Sequence, residues 1–161
     1  MTFIDLPITG DKQTGHQGKE QHDRAELTEA FKALFDNPSI HGLRWTQYTP
    51  HFNDGDACIF SVNEYGWRIA PTDTPDEYLD GEDDETGRFT DLFGGHKYSR
   101  NDGKWIAETI VGSDRAAADV LRLRGLMVGG HHDNSLIDLF GDHAEVGATR
   151  DGFVIDYFTH D

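Results

Sequence analysis

Phe52-Asn53-Asp54-Gly55-Asp56-Ala57-Cys58-Ile59 is an acidic, glycine-containing turn set between two runs of strand composition. Before it stand Leu43-Arg44-Trp45-Thr46-Gln47-Tyr48-Thr49-Pro50, and after it Ile59-Phe60-Ser61-Val62-Asn63-Glu64-Tyr65. Both runs are rich in aromatic residues and alternate in part between apolar and polar, so the segment predicts an antiparallel hairpin. Asn53, Asp54 and Asp56 accept left-handed backbone and bond to their own main chain, while Gly55 supplies positive φ. The alternation points Trp45 inward and leaves Tyr48, His51 and Phe52 at the turn, where exposed rings beside carboxylates make a contact surface.

Upstream, Leu27, Phe31, Leu34 and Phe35 recur at i, i+4, i+7 and i+8. That period predicts an amphipathic helix capped by Asp23 and ended near Asn37 by Pro38. Residues 1–23 are read as a flexible polar arm, because Thr9 to Asp23 holds three glycines, two histidines and no apolar period. Downstream, Asp73, Asp76, Glu77, Asp80, Glu82, Asp83, Asp84, Glu85 and Asp91 fill a long acidic loop at about 71–95. Asn101-Asp102-Gly103 then predicts a second hairpin, with Trp105 to Val111 as a strand.

Ser113-Asp114 caps a helix expected to run to about Arg124 and to stop at Gly125, with Ala117, Val120, Leu121 and Leu123 on its apolar side. A short helix from Asp133 to Phe140 follows, and Ala144–Thr149 with Phe153–Phe158 forms a third hairpin about Arg150-Asp151-Gly152. The expected class is α+β: a mainly antiparallel sheet built from hairpins, with three packed helices, in a single domain over 24–161.

Thirty acidic residues face fourteen basic ones, a formal charge of −16 in 161 residues. Such a surface repels a phosphate backbone, so direct nucleic-acid binding is not expected and a basic or groove-bearing protein is the fitting partner. One cysteine, Cys58, cannot close an internal disulfide; set in an apolar strand, it reads as a small buried hydrophobe. The first ten residues lack a signal-peptide pattern and no apolar run is long enough for a bilayer, which points to a cytoplasmic protein.

Metal chemistry has one dense candidate: His131, His132 and Asp133, followed by His143. Imidazole and carboxylate suit zinc or iron, but adjacent histidines on a strand face opposite ways, and Asp133 also suits the N-cap of the next helix. Asp80, Glu82, Asp84 and Asp91 occupy positions 1, 3, 5 and 12 of a calcium-loop register. That register fails where Glu85 replaces the turn glycine and where Asp91 replaces the longer bidentate glutamate. Phosphate-loop and nucleophile-elbow motifs are absent, and the motifs imply no cofactor.

Trp45 to Asp56, Leu139-Phe140-Gly141-Asp142-His143 and Thr149-Arg150-Asp151-Gly152 resemble segments of small uncharacterised accessory proteins of tailed bacteriophages. The resemblance covers about a fifth of the chain and implies a context, a host cytoplasm, without any catalytic residue. The function expected is therefore a noncatalytic acidic accessory protein that binds and inhibits a bacterial host protein, DNA mimicry included. Its contact surface would be Tyr48, His51, Phe52, Asn53, Asp54 and Asp56 with Asp80, Glu82, Asp83 and Asp84. The alternatives are a metal-dependent hydrolase using His131, His132, Asp133 and His143, and a structural virion component.

Overall fold

In the computed structural model, residues 1–12, 19–38, 40–51, 55, 58–63, 67–71, 96–101, 104–109 and 114–160 are described. Thr2–Phe3 (β1) and Leu6–Thr9 (β2) open the chain, followed by Ala25–Phe35 (α1), Ile40–Tyr48 (β3), Ser61–Val62 (β4) and Arg68–Pro71 (β5). His96–Asn101 (β6) and Lys104–Thr109 (β7) come next, then Asp114–Val128 (α2), Asp133–Phe140 (α3), Ala144–Thr149 (β8) and Gly152–Tyr157 (β9). The class is α+β, as the hydrophobic periods indicate.

The main sheet runs β1-β2-β9-β8-β3-β4, with β5 also paired to β3, and β6-β7 form a separate hairpin. The first expected hairpin forms, with Gln47 opposite Val62 and Tyr48 opposite Ser61. The second and third form as well, β6 with β7 and β8 with β9. Long-range pairing of β3 with β8, Trp45 opposite Val146, joins the two halves of the chain into one sheet.

Burial alternates along β8, whereas β3 is buried at every position from Gly42 to Gln47. Trp45 faces inward as its strand pattern requires, with Val146 and Ile155 in the same cross-strand row; all three are buried. Leu27, Ala30, Phe31, Leu34 and Phe35 bury the predicted stripe of α1. Phe3, Phe31, Trp45, Phe140 and Phe153 interlock through edge-on or tilted contacts, with centroids 5.1 Å apart for Phe3–Phe31 and for Trp45–Phe140. Each such buried ring contributes about 1.5–3 kcal/mol relative to exposure.

Gln47 is fully buried in this apolar setting and is held on three sides. Its Nε2 donates to the carbonyls of Leu136 (3.1 Å) and Gly141 (2.5 Å), and its Oε1 accepts from the Trp45 indole (2.9 Å). One side chain therefore ties β3 to both ends of the last turn of α3. Arg150, in the β8–β9 turn, does the same for α1: its guanidinium donates to the carbonyls of Phe35, Asn37 and Ile40. Those carbonyls at the helix end and in the turn after it thereby gain a charged partner.

Several expectations need correction. The expected arm over 1–23 is not an arm at its start: β1 and β2 pair, β2 joins β9 in parallel with Ile8 opposite Phe153, and Phe3 is core. Both strands are short, two and four residues, and too short to carry a periodic signal of their own. Gly10 lets β2 end beside β9, with φ +112° and room for no Cβ, which would lie 2.1 Å from the Ile155 carbonyl oxygen. Gly125 does not stop α2; the helix continues to Val128 because Met127 is buried, its sulfur 3.4 Å from the Trp67 indole nitrogen. Leu121 is 43% exposed, whereas Val120, Leu123 and Met127 are buried. Cys58 is half-buried rather than core. No described helix is long and apolar enough to cross a membrane.

Candidate metal centre

Antiparallel pairing brings the end of β3, the start of β8 and the end of β9 to the same end of the sheet. His51 follows β3, His143 precedes β8 and His160 follows β9, so three distant positions meet. Their ring centroids lie 4.6 to 5.0 Å apart with near-parallel planes. His143 Nδ1 and His160 Nε2 are 2.8 Å apart, within hydrogen-bonding reach of each other. One ring nitrogen from each of the three residues falls within 4.8 Å of the other two.

The position of His143 is built locally. Gly141 ends α3 with φ +83°, and His143 itself sits at φ +49°, a left-handed geometry that histidine tolerates better than most residues. Between them Asp142 is buried, and its Oδ1 accepts from the backbone N–H groups of Thr49 (2.6 Å) and His143 (2.8 Å). Its Oδ2 lies 3.7 Å from His143 Nε2. A carboxylate behind an imidazole whose other nitrogen faces a ligand cluster is the arrangement that orients metal-binding histidines. The Thr49 contact also fixes the chain two residues before His51. Tyr48 packs its ring on His160 at 4.0 Å and on Phe158 at 5.5 Å, walling one side.

Three neutral imidazoles suit a zinc-class divalent ion and leave a coordination position for water or another donor. His51 is exposed, so that position opens towards solvent.

A second histidine cluster lies where residues 19–22 cross the α2–α3 connection. His22, Glu26 and His132 bring one ligand atom each within 4.8 Å of one another. His132 is 1% exposed, with Nε2 3.9 Å from the Glu26 carboxylate and no hydrogen bond to either ring nitrogen. Burial lowers its pKa from the ordinary histidine value, against the nearby Glu26 charge. Asp133 is buried too, with Oδ1 lacking a hydrogen bond, and desolvation raises its carboxyl to about 6.

The structure thus divides the ligand set expected from sequence. His143 joins His51 and His160, whereas His132 joins His22 and Glu26. His131 stacks on His22 at 4.7 Å, and its Nδ1 lies 2.9 Å from the Glu20 carbonyl oxygen. Asp133 is not the N-cap of α3 but its first residue, following His132 at the cap, whose side chain makes no capping bond. Of the expected contact surface, His51 is exposed and Tyr48 is half-buried, its ring against that of His160. Phe52, Asn53, Asp54, Asp56, Asp80, Glu82, Asp83 and Asp84 lie outside the described residues, as does the calcium-loop register.

Sequence reasoning missed His160, Asp142, His22 and Glu26. His160 had a usable signal: the third hairpin, once placed about residues 150–152, carries residues 143 and 158 to the same end. No local pattern marks the approach of His51 to that hairpin. No protein-family model, curated protein or solved structure matches this chain.

Proposed function

We propose that this protein binds a zinc-class divalent metal ion on His51, His143 and His160. The observation that carries the reading is the convergence of three imidazole nitrogens at one end of the sheet, with the buried Asp142 carboxylate behind His143. The bound ion would supply Lewis acidity, lowering the pKa of a water in its open position and polarising an ester, phosphoester or amide oxygen. Asp142 keeps the His143 ring in place, and Tyr48 limits water on one side. A donor atom from a partner protein could fill the same open position.

Zinc titration of chelator-treated full-length protein tests this reading. The expected result is that one bound equivalent weakens at least 10-fold in His143→Ala and His160→Ala, with Asp142→Asn intermediate. Binding that is unchanged in His160→Ala overturns it.

A second reading is favoured by the formal charge of −16: an acidic accessory protein, phage-encoded, that occupies a basic groove of a bacterial protein and competes there with DNA. Pull-down from nuclease-treated bacterial lysate would retain one dominant, salt-sensitive basic protein. Unchanged capture after joint neutralisation of Asp80, Glu82, Asp83 and Asp84 would remove these four carboxylates from that account.

A further inference from the structure

We propose a second metal site, formed by His22, Glu26 and His132, that clasps the segment 19–22 to the helical layer. The site is independent of the three-histidine centre and differs from it in donor set and position. Its strongest mark is His132: a residue 1% exposed whose two ring nitrogens both lack hydrogen bonds. A buried imidazole normally satisfies at least one nitrogen, because an unmade bond in a dry setting costs about 1–3 kcal/mol. A cation facing Nε2 removes that cost, and Nε2 is the atom turned toward the Glu26 carboxylate.

The other two donors arrive on well-determined supports. Glu26 stands in the first turn of α1. His22 is carried by a strap bonded along its length to the α2–α3 connection. Lys19 Nζ donates to the Gly129 carbonyl (2.9 Å), Gln21 Nε2 to the Gly130 carbonyl (2.9 Å), and the His22 N–H to the His131 carbonyl (2.7 Å). Gln21 Oε1 accepts from the Asn134 N–H (2.7 Å) at the start of α3. The strap therefore caps the end of one helix and the beginning of the next, which places His22 reproducibly beside His132, with ring centroids 5.7 Å apart.

Two imidazoles and one carboxylate form the donor set that zinc, iron(II), cobalt(II) and manganese(II) accept, with the remaining positions left to water. His22 and Glu26 are both exposed, so an ion has a direct path in and ligand variants there disturb little of the core. Since the three donors come from the strap, α1 and the α2–α3 connection, occupancy joins three parts of the chain and stabilises them together.

The test uses the full-length His51→Ala/His160→Ala variant, in which the first centre is disabled, and adds Zn2+ or Co2+ after chelator treatment. One equivalent of metal is expected to bind, with at least a 10-fold rise in hydrogen-exchange protection of the His22 and Asn134 amides. Adding Glu26→Gln or His22→Ala to that background should weaken binding at least 10-fold and abolish the gain in protection. His132 is left intact in these variants because its replacement could unfold the core. No metal uptake in the His51→Ala/His160→Ala background, or uptake unaffected by Glu26→Gln and His22→Ala together, overturns the proposal.

Discussion

Replacing Gln47 by methionine should destabilise this protein by about 3–4 kcal/mol, although methionine fits the same volume. In the native fold the amide satisfies the Trp45 indole N–H and the carbonyls of Leu136 and Gly141, all in a region closed to water. Counting only the indole donor and the Gly141 carbonyl as stranded, each costs about 1–3 kcal/mol. Urea unfolding should show a lower midpoint at unchanged m-value, and the melting temperature should fall by about 10 °C for a chain of this size. Trp45→Phe supplies the internal check, because phenylalanine has no N–H to strand. The double variant Trp45→Phe/Gln47→Met should recover at least about 1 kcal/mol relative to the sum of the single changes. The same substitution should weaken zinc binding, since the Gly141 carbonyl is one residue from Asp142, which holds both Thr49 and His143. A loss below about 1 kcal/mol, or strict additivity in the double variant, would refute this account.

Other outcomes follow from particular contacts. The Asp133 carboxyl is raised from 3.8 to about 6, so the native state prefers it neutral and its contribution to stability is lost as pH rises from about 4 through 6. Asp133→Asn should therefore gain on the wild type by up to about 3 kcal/mol between pH 4 and pH 8, measured with chelator present, and a constant difference across that range would contradict it. Arg150→Met leaves three carbonyls without their charged donor and should cost about 2 kcal/mol, with Arg150→Lys restoring less than half because a point ammonium cannot span all three. Gly10→Ala forces a Cβ onto the Ile155 carbonyl oxygen at positive φ and should cost more than about 2 kcal/mol in the same unfolding assay, loosening β2 from β9 first.

Hairpin signals and apolar periods are local, and they located α1, α3 and all three expected hairpins, although the N-caps are Arg24 and His132 and not the expected Asp23 and Asp133. Local rules failed where packing at a distance overruled them. Gly125 costs helix propensity of only about 1 kcal/mol, less than burial of Met127 returns, so α2 runs past it. Strand β2 has too few residues to announce itself and forms because β9 offers an edge to pair with.

The amino-acid order by itself determined the α+β class, the inward face of Trp45 and the supply of nine histidines. It also pointed to His131, His132, Asp133 and His143 together, because nearness in sequence was the only nearness it displayed. Tertiary structure decided the grouping. Pairing of β3 with β8 carries His51 to His143, return of the chain along β9 delivers His160, and the strap over the α2–α3 connection brings His22 to His132. A ligand set is a matter of converging atoms within a few ångströms, and only cross-strand pairing and helix packing, which act between residues far apart in the chain, set those distances.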